Sequence, residues 1–154
     1  MRPAAKVAWL VMVPFAVLAS LPAHTLSQPA LPITDFTIVG TLLTPQGQSA
    51  SGETVYCFLF IDGRSHAKLG MVGDRIAPVN PSGRTDDRGR FKIKVGSAFI
   101  REHAGMTTRY TVGIFRDGKP VPIGVQGFPA VFDLELVAQA RQRVDLGTVT
   151  IRRE

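Results

Sequence analysis

The most regular pattern in the chain is Arg90-Phe91-Lys92-Ile93-Lys94-Val95, where cations and apolar residues alternate strictly. A period of two puts Phe91, Ile93 and Val95 on one face of a strand and Arg90, Lys92 and Lys94 on the other, so the segment predicts a half-buried strand. Thr54 to Ile61 is apolar on both faces, which predicts a fully covered strand, and Asp62-Gly63 ends it with turn chemistry. β-branched and aromatic residues from Asp35 to Leu43 predict another, closed by Pro45-Gln46-Gly47-Gln48. Tyr110 to Phe115 predicts a strand running into the hairpin turn Arg116-Asp117-Gly118-Lys119, whose Asp-Gly pair supplies positive φ. Pro120 and Pro122 confine the return arm to an edge. Phe128 to Val137 and Val144 to Arg152 predict two more strands, joined by the polar stretch Ala138 to Arg143.

Residues 64–84 are less regular: Leu69 to Val79 reads as one irregular strand and Asn80-Pro81-Ser82-Gly83 as a turn. A short helix is expected from Ser97, its cap, through Ala104, with Gly105 ending it in the left-handed region. About seven short strands separated by turn residues predict an all-β, seven-stranded antiparallel Greek-key β-sandwich with one short helix.

The N-terminus follows a different rule. Arg2 and Lys6 precede an apolar run from Val7 to Leu21, interrupted by Pro14 and Ser20, and small residues suited to cleavage follow at Ala19 and Ala23. This is the layout of a signal peptide, expected over residues 1–23. The run falls short of the roughly 20 apolar residues a spanning helix needs, so no stable membrane span is expected after cleavage. Residues 24–33, with Pro29 and Pro32, read as a flexible leader, and 34–154 as one domain of a size that buries a core. The product is expected in the periplasm or outside the cell.

Composition changes the picture in three ways. Discarding Arg2 and Lys6 takes the formal net charge from +6 to +4, which withdraws the main support for a nucleic-acid partner. Cys57 is the only cysteine, so no disulfide can staple the domain; within Val55 to Ile61 it is expected as a small buried hydrophobe. Trp9 is the only tryptophan and lies in the signal segment, and most aromatics read as core, which demotes a sugar site built on stacking.

Four segments together carry a family resemblance: Val39-Gly40-Thr41-Leu42-Leu43-Thr44-Pro45-Gln46-Gly47, Thr85-Asp86-Asp87-Arg88-Gly89-Arg90-Phe91-Lys92-Ile93, Tyr110-Thr111-Val112 and Asp145-Leu146-Gly147-Thr148-Val149-Thr150. In this order they resemble the carboxypeptidase regulatory-like family, which implies a transthyretin-like (prealbumin-like) sandwich over nearly the whole mature chain. Members of that family are often non-catalytic modules. The chain departs from the pattern in the long 64–84 stretch and in Ala104-Gly105-Met106, where Pro-Gly is usual.

Independently of any family, Thr85 to Gly89 reads as a structural turn: an Asp side chain bonds backbone amides and Gly89 takes the left-handed position. Asp86 and Asp87 alone fall far short of the six to eight oxygens calcium takes. The chain also resembles intradiol ring-cleaving dioxygenases in its Thr-Asp-x-x-Gly-Arg turn. That resemblance implies two Tyr and two His iron ligands, for which Tyr56, Tyr110, His66 and His103 supply the count but not the His-x-His spacing. The sequence holds no Gly-x-Ser-x-Gly elbow, His-Glu-x-x-His helix or phosphate-cradling Gly-rich loop, and Pro81 after Asn80 excludes N-glycosylation. The reading is a non-catalytic binding or assembly module with no cofactor and an unknown protein or polysaccharide partner. A small metal-dependent enzyme of the same fold is the alternative. Arg90, Lys92 and Lys94 are the candidate surface for an acidic partner.

Overall fold

The computed structural model describes residues 33–126 and 128–152. The expected signal segment 1–23 lies outside the described residues, as does the leader 24–33 apart from Ile33. The described chain is mostly β, with strands β1 Phe36–Leu43, β2 Thr54–Ile61, β3 Arg64–His66, β4 Leu69–Val72, β5 Arg75–Pro78, β6 Ser82–Arg84 and β7 Arg90–Val95. Helix α1, Ser97–His103, separates these from β8 Arg109–Arg116, β9 Lys119–Val125, β10 Phe128–Pro129 and β11 Val131–Asp133, and helix α2, Leu134–Gln139, precedes β12, Arg143–Ile151.

Ten strands form one mixed sheet in the order β3-β2-β8-β9-β12-β1-β7, with β6 on β2, β10 on β9 and β11 on β8. The sheet curls into a half-barrel. Gly83 of β6, which pairs with β2 near one end of the order, lies so close to β7, at the other end, that an added Cβ would stand 2.1 Å from the Lys92 carbonyl oxygen. Phe36, Ile38, Cys57, Ile93, Tyr110 and Val112 fill the concave side, and Phe36 meets the rings of Tyr110 and Phe132 edge-on at 6.2 and 6.1 Å. In β7, Phe91, Ile93 and Val95 are buried and the three cations exposed, as the alternation required.

The all-antiparallel expectation needs correction, because β1 and β12 run parallel. β12 lies between β1 and β9, antiparallel to the latter, with its direction fixed by the hairpin order before it. Along this pair Gly40 faces two residues, Leu146 and Gly147, and Gly147 adopts φ +61 while its amide donates to Asp145 Oδ1 at 2.9 Å. The Asp145-Leu146-Gly147 segment is thus a bulge, the form in which a left-handed glycine absorbs an extra residue.

β9 is no edge. It pairs with β8 over Lys119 to Pro122 and with β12 at Ile123 and Gly124. The Asp117-Gly118 turn, with φ of +50 and +78, sets a register in which Pro120 and Pro122 occupy non-hydrogen-bonded positions against β8. Their missing N–H groups therefore cost the β8–β9 ladder nothing, and pairing with β12 begins only after them.

Five further expectations are revised. Leu69 to Val79 is a two-stranded hairpin, separate from the main sheet, in which Gly73 at φ +60 opens the turn. Asn80 to Gly83 is not simply a turn, since Ser82–Arg84 adds to β2 and Arg64–His66 pairs on the same strand. Phe128 to Val137 breaks into β10, β11 and α2, because Asp133 Oδ1 accepts from the Leu136 amide at 2.8 Å and so caps a helix made of good helix formers. In α1, Asp35 Oδ1 accepts from the Ser97 amide at 2.7 Å, so Asp35 rather than Ser97 serves the helix start. Gly105 is not left-handed; the cap residue Ala104 stays in the right-handed helical region.

Candidate docking surface

The β4–β5 hairpin gathers most of the exposed large apolar side chains of the described chain. Leu69 is 50% exposed, Met71 67% and Ile76 69%, and Val72 and Val79 are also exposed. The register opposes Leu69 to Pro78 and Met71 to Ile76, which places Leu69, Met71 and Ile76 on one face. β4 and β5 pair only with each other among the described strands, so the outer edge of β4 is an unpaired ladder of Leu69 and Met71 backbone groups. Pro78 blunts the β5 edge.

A lone two-stranded hairpin is marginal in water, so its order must come from its base. Buried Asn80 provides that base. Its Oδ1 accepts from the Lys68 amide at 2.7 Å, and its Nδ2 donates to the Cys57 carbonyl of β2 at 3.0 Å. The Val79 amide donates to the Lys68 carbonyl at 2.8 Å, and the Cys57 amide to the Pro81 carbonyl at 2.8 Å. The Lys68 ammonium pairs with Glu102 of α1; that hydrogen bond is the chief reason the Glu102 carboxyl sits below its ordinary range. The hairpin is thus an apolar projection on a fixed root, an arrangement that lowers the ordering cost of docking.

The structure divides the row Arg90, Lys92 and Lys94. Arg90 is committed to its own turn, with Nε and Nη2 both 2.8 Å from Asp86 Oδ2. Lys92 and Lys94 oppose Val39 and Thr37 of β1, which in turn lie beside Asp145 and Arg143 of β12. The exposed sheet face therefore carries Lys94 and Arg143 at one end, and Asp145 shares a row with Lys92. It is a solvated face of mixed charge rather than a continuous cationic strip.

In the Thr85 to Gly89 turn, Asp86 Oδ1 accepts from the Arg88 and Arg90 amides at 2.9 Å each, and Gly89 adopts φ +74. The Arg90 amide first, then its side chain, hold the Asp86 carboxyl below the ordinary aspartate range. A Cβ at position 89 would stand 2.4 Å from the Leu42 carbonyl oxygen, so glycine is required there by space as well as by φ. Asp87 instead faces Ser51, whose hydroxyl lies 3.4 Å from its Oδ1.

The four residues implied as iron ligands have separate surroundings. Tyr56 stacks on Phe58 at 5.7 Å, exposed His66 lies on β3 opposite Leu59, and the His103 ring Nδ1 is 2.7 Å from the Phe99 carbonyl oxygen. Tyr110 is enclosed in the core, its hydroxyl without a hydrogen-bond partner among the described residues; burial first, then Cys57, pushes its pKa up to about 12. No group of three or more His, Cys, Asp or Glu side chains placed to hold a metal occurs among the described residues. Cys57 is fully buried and burial pushes its thiol far up, so it packs as a small hydrophobe.

An expectation of one strand over 69–79 hides the hairpin. The signal was present: Gly73-Asp74 is a two-residue turn between the short apolar runs Leu69 to Val72 and Ile76 to Val79.

No family model matches the chain, and no curated protein matches it. Among solved structures it is similar to a 9R-lipoxygenase from Cyanothece PCC8801, at 18% identity and a TM-score of 0.42. That match covers 84% of this chain and 18% of the lipoxygenase chain, and at such a score it bears on neither fold nor activity.

Proposed function

We infer that the chain is a secreted or periplasmic, non-catalytic module that acts by docking the β4–β5 hairpin onto a partner protein. The observation that carries this reading is the exposed Leu69, Met71 and Ile76 face on a root fixed by Asn80. The N-terminal run of cations followed by apolar residues supports export, with residues 1–23 acting as the signal peptide. The four turn and strand segments that resemble the carboxypeptidase regulatory-like family support a transthyretin-like sandwich of that kind. In that reading β9 is the strand shared between two layers, one built on β2 and β8 and the other on β12, β1 and β7.

The test places a photo-reactive residue at position 71 in the exported protein and follows cross-linking in its own host. A discrete adduct of fixed mass is expected, and it is expected to vanish when Ile76→Lys is added at unchanged melting temperature. A smear that Ile76→Lys leaves intact overturns docking through this face. Stoichiometric metal in the purified protein, lost together with an activity on chelation, overturns the non-catalytic reading. Intact mass that retains residues 1–19 overturns export by cleavage.

A further inference from the structure

Three depressions of about 200, 450 and 250 Å³ meet at Arg152, the first sharing Pro45 and Ile151 with the second and Pro122 and Pro129 with the third, and together make up an open groove around the end of β9 and β12. Pro45, Pro122, Pro129 and Phe128 line it, as do three arginines: Arg152 at all three depressions, Arg116 at the second and Arg64 at the third. We propose that this groove binds an acidic polysaccharide, with the arginines taking the carboxylates of uronic-acid units. The proposal is independent of the hairpin.

Charge decides the sign of the ligand. Asp117 is the one carboxylate among the lining residues, against three guanidinium groups. Arg116 shares its Nη2 with Glu53 at 2.9 Å, whereas Arg64 and Arg152 have no ion-pair partner among the described residues. An unpaired guanidinium presents a planar fork that fits a carboxylate with two parallel hydrogen bonds, a match an ammonium cannot make.

Shape decides between a glycan and an acidic peptide. Extended peptides bind along strands by completing a backbone ladder. In this groove the ladder is already spent, since Thr150 and Ile151 of β12 pair with Gly124 and Ile123 of β9, and the three prolines have no N–H to offer. What the groove presents instead are rigid, flat apolar faces: three pyrrolidine rings and the Phe128 ring, which is 77% exposed. Such faces suit the C–H face of a pyranose, whose carboxylate is fixed on the ring and arrives preorganised at the arginine. Phe128 is thus an exposed aromatic, an exception to the expectation that most aromatics are core.

The experiment titrates the purified full-length protein with a galacturonic-acid oligomer, following heat and amide chemical shifts at physiological salt. Saturable binding is expected, with the largest shifts at residues 123–126, 128 and 150–152. The pair Arg64→Gln and Arg152→Gln is expected to weaken it at least tenfold, Phe128→Ala severalfold, and Arg152→Lys, which keeps the charge but loses the fork, by an intermediate factor. Lys92→Gln with Lys94→Gln, on the sheet face, and the hairpin change Ile76→Lys leave it unchanged. No binding at millimolar oligomer overturns the proposal. So does equal affinity for a neutral malto-oligosaccharide, which removes the role of the arginines, or equal affinity for poly-L-glutamate, which assigns the groove to acidic peptides. A loss from the Lys92 and Lys94 changes as large as from the arginine changes reduces the binding to unspecific charge attraction and overturns it as well.

Discussion

The Asn80 side-chain amide donates to the Cys57 carbonyl at 3.0 Å while its oxygen accepts from the Lys68 amide, so one buried side chain ties the exposed hairpin to the middle of β2. Asn80→Ala leaves the Lys68 donor and the Cys57 acceptor without these bonds, a change of roughly 1–3 kcal/mol. Denaturant unfolding is expected to report a loss of that size, and hydrogen exchange to show the Lys68 and Val79 amides losing protection before those of β8. Equal protection in variant and parent sets aside Asn80 as the root of the hairpin.

Tyr110 presents the opposite case. Its hydroxyl is buried without a partner among the described residues, so the folded state bears a desolvation cost that Tyr110→Phe removes without leaving a large void. The variant is expected to melt at the same temperature or higher. The pH dependence follows from the raised pKa: the ring stays neutral in the fold up to about pH 12, while the unfolded chain ionises near its ordinary 10.0. Stability from this residue is therefore complete below pH 10 and declines as pH rises toward 12, a decline Tyr110→Phe is expected to lack. A clear drop in melting temperature at neutral pH means that the hydroxyl has a partner after all.

Gly83 is where the curl of the sheet becomes testable. A methyl group there would sit 2.1 Å from the Lys92 carbonyl oxygen and 2.9 Å from its carbon, both backbone atoms that cannot swing aside. Gly83→Ala must push β6 off β7, and forced overpacking of this kind costs about 1–3 kcal/mol or more. Gly47→Ala is the comparison, since nothing lies within 4 Å of its Cβ position and only its φ of +80 opposes the change. Thermal unfolding is expected to rank the Gly83 variant well below the Gly47 variant.

The long strands were legible because their information is local. Strict alternation from Arg90 to Val95 and the apolar block from Thr54 to Ile61 each specify a strand without reference to the rest of the chain, and Asp62-Gly63 and Asp117-Gly118 both take the left-handed conformations that their chemistry favours. Long-range relations were not legible. The parallel pairing of Thr37 with Arg143 depends on where β12 inserts, which no local pattern records. Pro120 and Pro122 looked like edge markers because a missing N–H matters only where the register would use it. The docking face was hidden for a related reason: Leu69, Met71 and Ile76 have the composition of a core, and only the separation of β4 and β5 from the main sheet exposes them.

Asp86 is held below the ordinary aspartate value of 3.8, first by the Arg90 amide and then by the Arg90 side chain, and Asp35 is held below 3.8 chiefly by the Ser97 amide. A carboxylate whose folded pKa is depressed binds its proton more readily in the unfolded chain. Its contribution is therefore fully present above the unfolded pKa and is lost as pH falls through the lower, folded value. Both groups are exposed, so each contribution is small and screened by salt. Asp86→Asn keeps an oxygen for the Arg88 and Arg90 amides but removes the charge facing the Arg90 guanidinium. Melting temperatures of parent and variant are expected to differ by a constant amount from neutral pH down to about 4, and then to converge as the parent loses its ion pair. Raising the salt concentration shrinks the constant difference. Parallel curves down to pH 2 mean that the Asp86 charge contributes nothing and that the turn rests on its amide bonds and Gly89 alone.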